Sequence, residues 1–117
     1  MLIVVRHGRT EANASGLLQG RRLDPGLDDL GRRQAAALAV AVPGAARVVA
    51  SPLRRTQETA AAFGLPVDTD ERWVELDYGD LDGTPLRDVS ADLWSTWQAD
   101  VHFRPPGGES LADLGAR

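Results

Sequence analysis

Hydrophobic residues fall along this chain in short blocks set between turn-forming residues. Leu2 to Val5 is an unbroken apolar run, β-branched at three of its four positions. That is the pattern of a strand covered on both faces, as in a parallel sheet. Gly8 ends it. Residues 10–15 read as a short helix, and 16–27 as loop, with Gly16, Gly20, Pro25 and Gly26. Asp28 then stands as the N-cap of a helix predicted to run to about Val42. Leu30, Leu38 and Val42 keep to one face of it, and the Ala-rich stretch 35–39 would let it pack close to a sheet. Pro43 and Gly44 stop it.

Arg47 to Ala50 reads as a second strand. In "SPLRRTQETAAAFG" Ser51 is placed as N-cap, Pro52 at the first helical position and Gly64 as the stop. A third strand is predicted at 66–68, or extending toward Trp73. Strand, helix, strand, helix, strand in this order predicts an α/β fold with a largely parallel sheet. Beyond residue 80 the pattern thins. Thr84 and Pro85 are read as opening a helix that carries Leu93, Trp94 and Trp97, whose helical spacing makes the two tryptophans core residues. "RPPGGES" is a turn-rich loop. Ser110 and Asp113 resemble a capping box before Leu111 and Leu114.

With 117 residues, a single domain spanning 1–117 is expected. Composition narrows the function more than the fold. A net charge of −4 provides no basic field to draw nucleic acid or an anionic membrane. No apolar run reaches the length of a membrane-spanning helix, and no leader pattern opens the chain. The expectation is a soluble, cytoplasmic protein. Cysteine is absent, which removes disulfides, thiolate metal sites and thiol nucleophiles. All 13 basic residues are arginine, so any anion site must be built from guanidinium groups.

In parallel α/β sheets, ligands sit at the carboxyl ends of strands. Arg6 and His7 stand at that end of the first predicted strand, and Ser51 to Arg55 at that end of the second. Two strand ends that each deliver arginine suit a doubly charged oxyanion, because the guanidinium fork matches phosphate oxygens. A histidine between them can carry a proton or act as nucleophile. Taken singly, each has an ordinary reading: a structural histidine, a solvated arginine, a capped helix start.

Taken together, "RHGRTEAN" and "SPLRRTQET" resemble the two leading signatures of the histidine phosphatase superfamily, the phosphoglycerate-mutase-like proteins. The first is matched by Arg6, His7, Gly8, Thr10 and Asn13, and the second by Ser51, Leu53, Arg55 and Thr59. "LLQGRRLDPGLDDLGRRQA" resembles the family's connecting stretch, "ELDYGDLDG" its acid-bearing segment, and "PPGGES" a later element. The resemblance implies a three-layer sandwich with a mostly parallel central sheet flanked by helices. It implies His7 as the nucleophile that takes the phosphoryl group, and Arg6 and Arg55 as the grip on the phosphate oxygens. Asn13, Gln19 and Gly20 would contact phosphate or substrate, and Glu75 would be the general acid. The substrate would be a small-molecule phosphate ester, with neither metal nor cofactor required. Arg54 falls off the motif spacing and is read as supporting or solvated.

The family also carries a second histidine in a late motif. The other histidine here, His102, lies in "DVHFRPPGG", which does not match, and is read as a surface or packing residue. The expectation is therefore a domain incomplete at its C-terminus. A fragment is favoured over a chain completed by a partner, as in a homodimer, and over a degenerate relative. The resemblance implies phosphomonoester hydrolysis through a phosphohistidine. Mutase-type transfer is the rival, disfavoured because "GTPLRDVSADLWSTWQAD" offers only Arg87 for a substrate carboxylate. A non-catalytic phosphate-binding module is the second rival. Residues that select the substrate are expected in 14–27 and 80–108.

Overall fold

Two helices of the N-terminal third form as the polar pattern predicts: α1, Glu11–Ala14, and α2, Asp29–Ala41. The Asp28 carboxylate accepts the Gly31 N–H at 2.7 Å and so satisfies one of the orphan donors of the first turn of α2. Strand β1, Val48–Ala50, helix α3, Arg54–Ala61, and strand β2, Val67–Thr69, follow. Helix α4, Ala91–Ala99, and helix α5, Leu111–Ala116, complete the set. The computed structural model describes residues 1–117, which divide into two compact units. No helix is long and apolar enough to cross a membrane.

The first unit comprises Met1–Glu11 and Pro25–Val74. β1 and β2 pair in parallel, Val48 opposite Val67 and Ala50 opposite Thr69, with α3 as the crossover between them. Leu27, Ala35, Ala50, Leu53, Ala60 and Val74 are buried here. α2 packs against α3. Its small residues serve another close approach as well. The backbone at Gly8 and Arg9 lies against the first turn of α2, where a Cβ on Gly31 would stand 2.0 Å from the Arg9 carbonyl oxygen and one on Gly8 2.4 Å from that of Gly31.

The second unit comprises Ala12–Asp24 and Glu75–Arg117. Trp97 is its buried centre. Tyr78 and Phe103 meet it edge-on at centroid distances of 5.4 and 5.7 Å, and the half-buried Trp94 stacks on it at 5.8 Å. Leu18, Leu76 and Val89 are buried in the same unit. Leu18 exchanges backbone hydrogen bonds with the 83–84 turn, its N–H reaching Thr84 O at 2.8 Å and its carbonyl taking Gly83 N–H at 2.7 Å. α5 starts with the expected capping box between Ser110 and Asp113.

Four local expectations are corrected. Leu2 to Val5 forms no strand, and its residues are exposed, Leu2 by 79% and Val4 by 71%. The sheet consists of β1 and β2 alone, so nothing pairs with this run, and a strand exists only where its backbone groups find a ladder. Ser51 and Pro52 do not open α3. Leu53 remains extended at φ −65°, ψ 138° as the cap, and Ser51 instead ties its hydroxyl to Thr56 Oγ1 at 2.8 Å. The third strand forms at Val67–Thr69, one residue on from the expected 66–68, and the longer alternative toward Trp73 fails because Asp70 accepts the Arg72 N–H and starts a 3-10 turn at Glu71–Trp73. Thr84 and Pro85 lead only into a 3-10 turn, Leu86–Asp88, and α4 begins after its own cap, Ser90.

Gly31→Ala weighs two effects of opposite sign. Alanine favours a helix interior by about 1 kcal/mol, whereas forcing an extra carbon into a filled space costs roughly 1–3 kcal/mol. The obstacle at Gly31 is backbone rather than a flexible side chain, so sterics dominate. Urea unfolding is expected to show a net loss of stability, and a stabilised Gly31→Ala variant would rule out this close approach.

Candidate active site

In the first unit, the turn after His7 is fastened to three residues, Asp28, Gln34 and Thr59. The Arg9 carbonyl accepts the Asp28 N–H at 3.0 Å, and the Arg9 N–H donates to Gln34 Oε1 at 2.9 Å. The Arg9 guanidinium meets Asp28 Oδ2 at 2.6 Å. The Gly31 amide, opposed by burial and aided by Arg9, holds the Asp28 carboxyl below its ordinary value, so cap and ion pair stay charged. The third residue offers a hydroxyl. Gly8 N–H donates to Thr59 Oγ1 at 3.0 Å, and Thr59 Oγ1 donates to the Arg55 carbonyl at 2.8 Å. One buried side chain thus joins the His7 turn to the helix that carries Arg55.

His7 itself is half-buried, and its Nδ1 lies 2.7 Å from the Gly8 carbonyl oxygen. A carbonyl can only accept, so Nδ1 carries the proton and, in the neutral ring, Nε2 carries the lone pair. Arg55 is 1% exposed at the start of α3, and Arg6 is exposed. The first strand expected to present Arg6 and His7 does not form, whereas Ser51 does follow directly on β1. Arg54 is exposed and pairs with Glu58 at 2.7 Å. Glu58 is held below its ordinary value chiefly by the Leu27 amide, against burial and with help from Arg54 and Arg32.

The second unit holds Asn13 in α1, Gln19 and Gly20 in the following loop, and Glu75. Asp82 organises that loop, taking Gly20 N–H on Oδ1 at 3.0 Å and Arg22 N–H on Oδ2 at 2.7 Å. Glycine is required at position 20, since a Cβ there would fall 2.7 Å from the Tyr78 ring and 2.9 Å from Asp82. Glu75 is half-buried, and its Oε1 accepts the Leu76 N–H at 2.8 Å. The Glu75 carbonyl accepts Arg21 Nε at 2.6 Å and, more weakly, Arg117 Nη2 at 3.4 Å. Both guanidiniums pair with Glu109, Arg117 at 2.8 Å. The "PPGGES" loop is laced to the acid segment by Asp80 N–H to Pro106 O at 2.8 Å and Glu109 N–H to Asp77 O at 2.9 Å. His102 is exposed, its N–H on Asp100 Oδ1.

The expected set is divided between the units: Arg6, His7 and Arg55 lie in one, Asn13, Gln19, Gly20 and Glu75 in the other. Sequence reasoning assigned no part to Arg21, Asp82 and Glu109. Their only signal was adjacency, Arg21 following Gln19 and Gly20, and Glu109 lying inside "PPGGES".

The family model of the histidine phosphatase superfamily (branch 1) matches residues 2–117, and the chain belongs to that family. It is 40% identical to glucosyl-3-phosphoglycerate phosphatase of Mycolicibacterium vanbaalenii, over 99% of this chain and 55% of that protein. A mycobacterial glucosyl-3-phosphoglycerate phosphatase solved with VO3 aligns at a TM-score of 0.85 and 36% identity, over 94% of this chain and 59% of that one. A phosphoglycerate mutase of Thermus thermophilus aligns at 0.83 and 30%, over 95% and 64%. The fold is phosphoglycerate-mutase-like, as the motifs imply, and the chain spans a little over half the length of the glucosyl-3-phosphoglycerate phosphatases it matches.

Two outcomes test these geometries without turnover. Thr59→Val keeps the shape of the side chain but leaves the buried Gly8 N–H without its acceptor, which costs about 1–3 kcal/mol. Thr59→Ser keeps the hydroxyl and is expected to cost about 0.8 kcal/mol, the worth of one buried methyl group. Equal losses in urea unfolding would mean that the hydroxyl does not fasten the turn.

Glu109 gives a pH test. Burial works to raise its carboxyl, but the hydrogen bonds from Arg117 and Asp77 and the charges of Arg21 and Arg117 outweigh burial and hold it below 4.5. A depressed folded value means that the stabilisation is complete above about pH 4.5 and is lost as pH falls through the lower folded value. Glu109→Gln is expected to be less stable than the unaltered chain at neutral pH. The gap should close in more acid solution, and a gap independent of pH contradicts the ionic clamp.

Proposed function

We propose that this chain carries the catalytic residues of a phosphomonoester hydrolase that works through a phosphohistidine. The observation that carries the reading is the Nδ1 contact of His7 with the Gly8 carbonyl, which directs the lone pair of the neutral ring to Nε2. Family membership supports the roles, which are carried over position by position. His7 Nε2 attacks phosphorus, the P–N bond forms, and the bond to the ester oxygen breaks. Arg6 and Arg55 balance the charge that spreads over the three other phosphoryl oxygens in the transition state. Asn13, Gln19 and Gly20 contact phosphate or the substrate alcohol.

An alkoxide is a poor leaving group, and Glu75 supplies its proton. The resulting Glu75 carboxylate then takes a proton from water as that water attacks the phosphohistidine, releasing inorganic phosphate and restoring both residues. The names of two relatives favour hydrolysis of a phosphorylated sugar–acid ester over mutase transfer. Arg87, the one basic residue that "GTPLRDVSADLWSTWQAD" offers to a substrate carboxylate, is largely exposed and lies 3.8 Å from Asp88.

The test is an acid quench after incubation with a labelled phosphate ester, beside a His7→Ala control. Label is expected on His7 in the unaltered chain and absent from the control, with phosphate release falling by several orders of magnitude. Turnover that survives His7→Ala rejects the nucleophile. Interconversion of phosphoglycerates faster than phosphate release rejects the hydrolase.

A further inference from the structure

We propose that Arg21 is a positioning residue for Glu75, aimed by Glu109. Arg21 donates from Nε to the Glu75 carbonyl at 2.6 Å and from Nη2 to Glu109 Oε1. A guanidinium is a rigid plane, so fixing two of its nitrogens on two acceptors fixes the whole group. Lysine carries its donors on one nitrogen at the end of a flexible stem and lacks this rigid two-nitrogen fork. The anchor is itself held. Glu109 N–H donates to the Asp77 carbonyl at 2.9 Å, and Glu109 Oε1 accepts the Asp77 N–H at 3.2 Å.

Residues 75–77 are thus gripped at both ends: Arg21 holds the carbonyl of Glu75, and Glu109 holds the amide and carbonyl of Asp77. The direction in which the Glu75 side chain leaves the backbone is set between these two grips. The ion pair is shielded enough to resist screening, with 30% of the Arg21 side chain and 16% of that of Glu109 exposed. Arg21 also adjoins Gln19 and Gly20, whose loop Asp82 fastens to the same segment. Arg21 thereby ties the acid to the loop proposed to contact substrate. Small displacements of an acid that must reach a leaving oxygen within hydrogen-bond distance are costly to rate.

This role rests on Glu75 being the acid, and leaving-group dependence separates the two. A nitrophenolate departs without a proton, whereas an alkoxide requires one. Kinetics of p-nitrophenyl phosphate and glycerol phosphate hydrolysis are measured for the unaltered chain, Glu75→Gln, Arg21→Gln and Arg21→Lys. In Arg21→Gln the loss in kcat is expected to be at least tenfold (~10–100) greater on glycerol phosphate than on the aryl ester, in line with the worth of a placed general acid. Arg21→Lys should recover part of that difference.

Equal losses on both esters mean that Arg21 only supports the fold, and overturn the inference. A leaving-group bias in Glu75→Gln that is missing from Arg21→Gln defeats the role of Arg21 alone. No bias in Glu75→Gln removes the acid, and the positioning role with it. A second readout needs no turnover. In 15N NMR the Arg21 Nε–H should exchange slowly in the unaltered chain and rapidly in Glu109→Ala. Rapid exchange in the unaltered chain overturns the contact whatever the kinetics.

Discussion

The first unit depends on how near the backbone after His7 comes to helix α2. Neither Gly8 nor Gly31 has room for a Cβ, because each would drive a carbon into the other strand of backbone. That approach lets the Arg9 carbonyl reach the Asp28 N–H and the Arg9 guanidinium reach the Asp28 carboxylate. Asp28 in turn caps α2 through Gly31. The helix start and the turn after His7 are therefore one structure. Moving either would break the Asp28 cap and pull the buried Gly8 amide off its acceptor, which is costlier than losing a solvent-exposed contact. The Gly8 amide, pressed inward by the same approach, finds the Thr59 hydroxyl.

Charge follows a similar economy. With arginine as the only strong side-chain cation, the ion pairs join guanidinium groups to carboxylates, and several carboxylates act as hubs for backbone amides as well. Asp82 gathers the amides of Gly20 and Arg22, Glu58 takes the Leu27 amide beside Arg54, and Glu109 takes the Asp77 amide beside two arginines. Isolated surface pairs contribute little, but a carboxylate that also accepts a backbone amide fixes a loop. These hubs shape connecting segments that have few regular hydrogen bonds of their own.

What could be read from the sequence was what is local. The Asp28 cap, the Ser110–Asp113 box and the two strands of the β1–α3–β2 crossover rest on residues within a few positions of one another, and all form. The motif residues, too, lie in short local stretches, recognised by their resemblance to the family's signatures. Failures came where a competing or missing partner, near or distant, decided the outcome. Leu2 to Val5 has the composition of a buried strand, but composition does not supply a neighbour to pair with. Ser51 has the chemistry of an N-cap, yet its hydroxyl is engaged by Thr56, so α3 begins at Arg54. Arg21 and Glu109 are 88 residues apart, and no periodicity joins them.

The two side chains to which the chemistry is assigned are held in a related way. His7 is oriented by its Nδ1 on the Gly8 carbonyl, and its turn is secured by the Gly8 amide rather than by the imidazole. Glu75 is oriented through its own carbonyl and by Oε1 on the Leu76 amide. In both residues one side-chain atom is given to orientation, Nδ1 in His7 and Oε1 in Glu75. A nucleophile locked at both nitrogens could not form a bond to phosphorus. An acid with both oxygens committed could not carry and release a proton. Fastening the neighbouring backbone, by Thr59 at the Gly8 amide and by Arg21 at the Glu75 carbonyl, holds each residue without adding a contact to its side chain.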